Sequence, residues 1–136
     1  MRNIDEKIEI AAPADEVWSI LGDPATAHRY VPGIASSSME GSTRICITAD
    51  GHEIRETISD LSAEERSYRY EHVVTPLPVK LSRGRFTVTG SGTRSTVRVE
   101  AELDAAAAEM EPQLAEMMQA GLRATLANLR ALVERR

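Results

Sequence analysis

The stretch Ile8-Glu9-Ile10-Ala11-Ala12-Pro13-Ala14-Asp15-Glu16-Val17-Trp18-Ser19-Ile20-Leu21-Gly22-Asp23-Pro24 decides how this chain reads. Ile8, Glu9 and Ile10 alternate apolar and polar, the period of a half-buried strand. Pro13 stands where a helix can begin, because its missing N–H is one that the first turn leaves unpaired anyway. Val17, Ile20 and Leu21 then recur at helical spacing, and Trp18 is expected beside them on the buried face. Gly22-Asp23-Pro24 stops the helix. A strand therefore runs almost directly into a short amphipathic helix, and the rest of the chain must cover both apolar faces.

Downstream, a second short helix is predicted over Pro24–Tyr30, and Val31-Pro32-Gly33-Ile34 turns into a strand. The runs Thr43–Ala49, His52–Leu61, Arg66–Thr75, Val79–Thr89 and Arg94–Leu103 read as further strands. Glu40-Gly41 and Asp50-Gly51 are tight-turn signals between them, and Ser62–Glu65 and Gly90–Thr93 also read as turns. The period then changes. Leu114, Met117, Met118, Leu122, Thr125, Leu126, Leu129, Leu132 and Val133 fall at three- and four-residue intervals, one apolar face of a long helix. Pro112 suits its first turn, so the helix is expected from near Glu111 to Glu134. The class is α+β: a curved antiparallel sheet of about seven strands wrapped around a long C-terminal helix.

Composition sets the outer limits. A chain of 136 residues is expected to form one domain over 1–136. Aromatics make up only 4%, so the core is aliphatic and methionine-rich. The net charge of −5, with no dense Lys/Arg block, argues against nucleic-acid binding through phosphates. Cys46 is the single cysteine, which rules out an internal disulfide and suits a cytoplasmic setting. Met1–Lys7 is too charged for a secretory signal, and no window approaches the ~18 apolar residues of a membrane span.

Four segments carry a family likeness: Ala12-Pro13-Ala14-Asp15-Glu16-Val17-Trp18, Val31-Pro32-Gly33-Ile34, Glu56–Leu61 followed by Arg66–Tyr70, and Gly92–Val97. In this order, with the final helix, the chain resembles the helix-grip superfamily of START and pollen-allergen-like proteins. Its bacterial polyketide cyclase/dehydrase-like SRPBCC branch is the best match. The resemblance implies an internal cavity for polyketides, lipids or quinone-like molecules, with loops such as Thr75-Pro76-Leu77-Pro78 at its rim.

Strand parity nominates the residues facing that cavity. Ile45 and Ile47 are expected inward on one strand, with Cys46 turned away. Ile54 and Ile58 follow on the next, and Glu56 shares their parity. Tyr68, Tyr70 and His72 form the next inward set, then Phe86 and Val88, then Val97, Val99, Ala101 and Leu103. The helix adds Met110, Met117, Met118, Gly121, Leu122 and Thr125, where thioethers adapt to varied apolar shapes.

Among these, Glu56, Tyr70 and His72 are the candidates for acid–base chemistry. A buried carboxylate must be paired, hydrated or protonated. Glu56 therefore either serves a ligand or pairs with an arginine or tyrosine hydroxyl. Histidine titrates near neutrality and suits proton transfer. The three histidines have no metal-ligand spacing, and no phosphate-cradling glycine loop or nucleophile elbow is present. No cofactor is expected.

The leading function is binding of a small hydrophobic or amphipathic molecule, without stable membrane insertion. A cyclase, aromatase or dehydratase using Glu56 with Tyr70 or His72 is the enzymatic alternative. A protein-interaction module is the third reading. Pairing of two copies through a sheet edge is compatible with all of them.

Overall fold

The computed structural model describes residues 1–135. Strand β1 (Arg2–Ile10) leads into helix α1 (Ala14–Leu21) and a 3-10 turn (Pro24–Arg29). Six strands follow: β2 (Ile34–Glu40), β3 (Thr43–Thr48), β4 (Glu53–Ser62), β5 (Ser67–Val74), β6 (Val79–Ser91) and β7 (Arg94–Ala105). A short 3-10 turn at Ala108–Met110 precedes the long helix α2 (Glu111–Glu134). Its 24 residues span about 36 Å.

All seven strands form one antiparallel sheet in the order β1-β7-β6-β5-β4-β3-β2. Consecutive strands pair as hairpins, and β1 closes back onto β7, with Ile4 opposite Ala101 and Ile8 opposite Val97. Gly41 at φ +60° and Gly51 at φ +91° supply the left-handed backbone that two of the tight turns need.

One face of this sheet carries the core. In β7 every second residue from Ser95 to Ala105 is buried, and the residues between them are not. Helix α2 lays Leu126, Leu129 and Val133 onto that face beside Val97, Val99 and Ile10. Each such fully buried side chain contributes roughly 1.5–3 kcal/mol. Trp18, expected on the buried face of α1, is only half-buried; Ala14, Val17, Ile20 and Leu21 are the buried residues. Its indole lies over Gly22, where a Cβ would come within 2.4 Å of the ring.

Polar bonds pin α2 to the β1 side of the sheet. The Glu6 carboxylate accepts from Arg123 Nε at 2.9 Å and Gln119 Nε2 at 2.8 Å. The Arg123 bond, then the Gln119 bond, hold the Glu6 carboxyl below the usual carboxylate range. Near the helix end, Glu134 Oε2 accepts from the Ala11 amide at 2.9 Å. A second apolar cluster, Leu103, Ala105, Leu114 and Ala115, packs the first half of α2.

Candidate functional site

The buried polar centre is built by β3, β4 and β5. Register sets Arg44 opposite Glu56 and Cys46 opposite Ile54. Glu56 in turn faces His72 across the β4–β5 pairing. This reverses the expected parity of β3. Arg44 and Cys46 are buried, whereas Ile45 and Ile47 lie on the outer face opposite Arg55 and Glu53. The physical reason is the carboxylate on β4. A buried Glu56 needs a cation directly across from it, and that demand outweighs the apolar character of the two isoleucines.

The pairing is bidentate. Arg44 Nε donates to Glu56 Oε1 at 2.9 Å, and Nη2 donates to Oε2 at 3.1 Å. Arg44 Nη1 reaches the Tyr68 hydroxyl at 3.3 Å and the Pro24 carbonyl at 3.4 Å. Burial works against the Arg44 charge, yet Tyr68 and Glu56 together keep the guanidinium protonated well above its ordinary value. Burial and the nearby Glu56 charge push the Cys46 thiol up to about 11, so it is no thiolate at neutral pH.

His72 connects this centre to a cavity. Its Nδ1 lies 2.8 Å from Ser82 Oγ, and its Nε2 lies 3.6 Å from Glu56 Oε2. Burial drives the imidazole below its ordinary value; the Glu56 charge opposes this and Arg44 adds to it. His72 is therefore neutral at pH 7.

A stability signature follows from that shift. Below its ordinary value of 6.5, the unfolded chain takes up a proton on His72 that the folded chain resists. The His72 contribution is present above pH 6.5 and is lost as pH falls toward the lower folded value. Urea denaturation of wild type and His72→Gln from pH 8 to 5 is expected to show a shallower acid-side loss in the variant. Equal slopes would contradict it.

The cavity, about 240 Å³, lies between the first half of α2 and the sheet. Tyr70 and His72 of β5 form one wall, their rings edge-on with centroids 5.8 Å apart. Met117, Met118, Gly121, Leu122 and Thr125 form the helix wall. Leu103, Val79 and Leu114 close the end, and Val31, Pro32 and Leu77 form the rim. Met117 is 54% exposed, so the cavity meets solvent beside it. A larger hollow of about 770 Å³ on the outer sheet face is lined by charged groups. Pairs such as Arg83–Glu102 neutralise one another there, and its few apolar residues, Ile4, Tyr70 and Ala101, stand among charged ones.

Five of the six expected helix residues thus share one cavity with Tyr70 and His72. Several other expected lining residues do not reach it. Ile58, Tyr68, Phe86, Val88 and Val99 are consumed by packing in the main core. Ile54 is half-buried and lies opposite Cys46, outside the cavity wall. Met110 is 38% exposed and also lies outside it. Glu56 does not line the cavity; it stands behind His72. Sequence parity alone missed Arg44, whose charge hid its inward orientation. It also gave no role to Val31 and Pro32, whose loop has no periodicity to read.

Tyr70 depends on a glycine. Gly84 faces it across β5–β6, and a Cβ there would sit 2.5 Å from the Tyr70 hydroxyl. Gly84→Ala is expected to displace the ring and cost about 1–3 kcal/mol, read as a lower thermal midpoint. An unchanged midpoint would show that the ring yields freely.

The family model described as polyketide cyclase/dehydrase and lipid transport matches residues 1–134. The chain belongs to that family. This family member is also similar in structure to several solved proteins. XoxI from Bacillus cereus is 22% identical with a TM-score of 0.89, covering 98% of this chain and 96% of that one. The di-domain ARO/CYC BexL from the BE-7585A biosynthetic pathway is 21% identical with a TM-score of 0.87. That match covers 98% of this chain and 47% of BexL. Norcoclaurine synthase from Thalictrum flavum is 19% identical with a TM-score of 0.75, covering 98% and 94%. At these identities the likeness establishes the shared helix-grip fold. No curated protein matches the chain. Among the described residues no helix is long and apolar enough to cross a membrane.

Proposed function

We propose that this protein binds a small hydrophobic or amphipathic molecule in the cavity between α2 and the sheet. The observation that carries this reading is the lining itself. A 240 Å³ space is walled by aliphatic, thioether and aromatic side chains and meets solvent beside Met117. Binding sites for small molecules combine such apolar walls with very few polar groups. The family description, which joins cyclase chemistry with lipid transport, is consistent with it. The single buried Cys46 suits a cytoplasmic setting.

Native mass spectrometry of freshly purified protein, with a thermal-shift panel of lipids, quinones and aromatic polyketides, tests the reading. A retained ligand mass or a rise in midpoint supports it. Neither a retained mass nor any shift across the panel would sink it.

A cyclase or dehydratase role is the second reading, favoured by His72. This imidazole is neutral, borders the cavity and has a carboxylate 3.6 Å from its Nε2, and it would serve as a base on exchanging the Ser82 contact at Nδ1 for substrate. The norcoclaurine synthase and BexL folds show that this architecture hosts enzymes. Fold alone does not assign a reaction to this chain. Turnover of a polyketide surrogate that is lost in His72→Gln, with binding retained, would favour it over binding alone.

A further inference from the structure

We propose that the cavity selects uncharged molecules and rejects both carboxylates and ammonium groups of the same shape. The inference deepens the binding reading above and rests on it. None of the described residues lining the cavity is Lys, Arg, Asp or Glu. Its polar groups, the Tyr70 and Thr125 hydroxyls and the neutral His72 imidazole, carry no charge. Thr125 Oγ1 donates to the Gly121 carbonyl at 2.9 Å, and His72 Nδ1 is paired with Ser82 Oγ at 2.8 Å.

The charges behind the wall offer no help to an anion. Arg44 is the cation of the buried centre, and both of its donating arms toward Glu56 are used, with the third nitrogen turned to Tyr68 and Pro24. The Arg44–Glu56 pair behind His72 is neutral overall and gives a carboxylate no counter-charge. An ammonium fares no better, because Glu56 is neutralised by Arg44 and screened from the cavity by the imidazole. A charged group entering this space gives up its hydration and finds no opposite charge among the described lining residues. An ester, ketone, phenol or quinone carries no such penalty. Family likeness leaves lipids, polyketides and quinones open; this chain's own lining removes the free acids and amines among them.

Three near-isosteric probes test the rule by isothermal titration at pH 8: 2-acetylnaphthalene, 2-naphthoate and 2-(aminomethyl)naphthalene. The neutral ketone is expected to bind at least roughly 100-fold more tightly than either ion. Met117→Lys, at the exposed cavity edge, is expected to raise the affinity for 2-naphthoate relative to the ketone by roughly tenfold or more. If an ion binds within about threefold of the ketone, the cavity reading stands and the charge rule falls. If Met117→Lys leaves 2-naphthoate as weak relative to the ketone as before, missing charge compensation is not the cause and the rule also falls. If no probe binds to either form, the cavity reading itself fails and takes the rule with it.

Discussion

Replacing Arg44 with alanine is expected to destabilise the protein by about 3–5 kcal/mol, because it strands Glu56 without a cation inside the fold. Both residues are nearly sealed, with side chains 5% and 8% exposed. Net stability of a domain is only about 5–15 kcal/mol, so this one change removes a large fraction of it. The loss reflects an unpaired charge more than the value of the ion pair. Arg44→Met with Glu56→Leu should therefore recover most of the stability that Arg44→Ala loses. Urea denaturation of the three proteins measures it. A double variant as unstable as Arg44→Ala would show that the pair contributes through its geometry, not through mutual neutralisation.

The second large effect concerns the cavity. Leu122 lines it from α2 and is only half-buried, so the helix has room for a bulkier side chain there. Leu122→Trp places an indole into a space of about 240 Å³. Ligand affinity is expected to fall by roughly tenfold or more. The thermal midpoint without ligand should stay near that of wild type, which separates occlusion from unfolding. Unaltered affinity would move the binding site away from this cavity.

How much was readable in advance follows from which interactions are local. The strand-to-helix passage around Pro13, the hairpin turns at Gly41 and Gly51, and the alternation in β7 are written in neighbouring residues. So is the helix wall, since Met117, Met118, Gly121, Leu122 and Thr125 share one helical face. The orientation of β3 was not readable from its own residues. Arg-Ile-Cys-Ile names the isoleucines as the inward pair until Glu56, twelve positions from Arg44, is known to lie opposite. Burial depends on the partner, and the partner is set by register. The same holds for the core residues expected in the cavity. Parity places Phe86 and Val88 on the inner face, but only the path of α2 determines where that face is packed and where it is left open.

The pairing of β1 with β7 bears on how the protein comes into being. Asp5 and Arg98, joined by an ion pair across these strands, are 93 positions apart. Hairpins β2 through β7 can assemble from neighbours, whereas β1 has no strand to join until β7 has been laid down. Closing so long a loop costs entropy before any contact compensates it, which slows folding relative to a fold built from neighbouring contacts. During synthesis, β1 and the apolar side of α1 must wait, uncovered, for nearly the whole of the sheet to emerge. The stretch between Ile8 and Pro24 that identifies the architecture is thus among the last parts of it to lock into place.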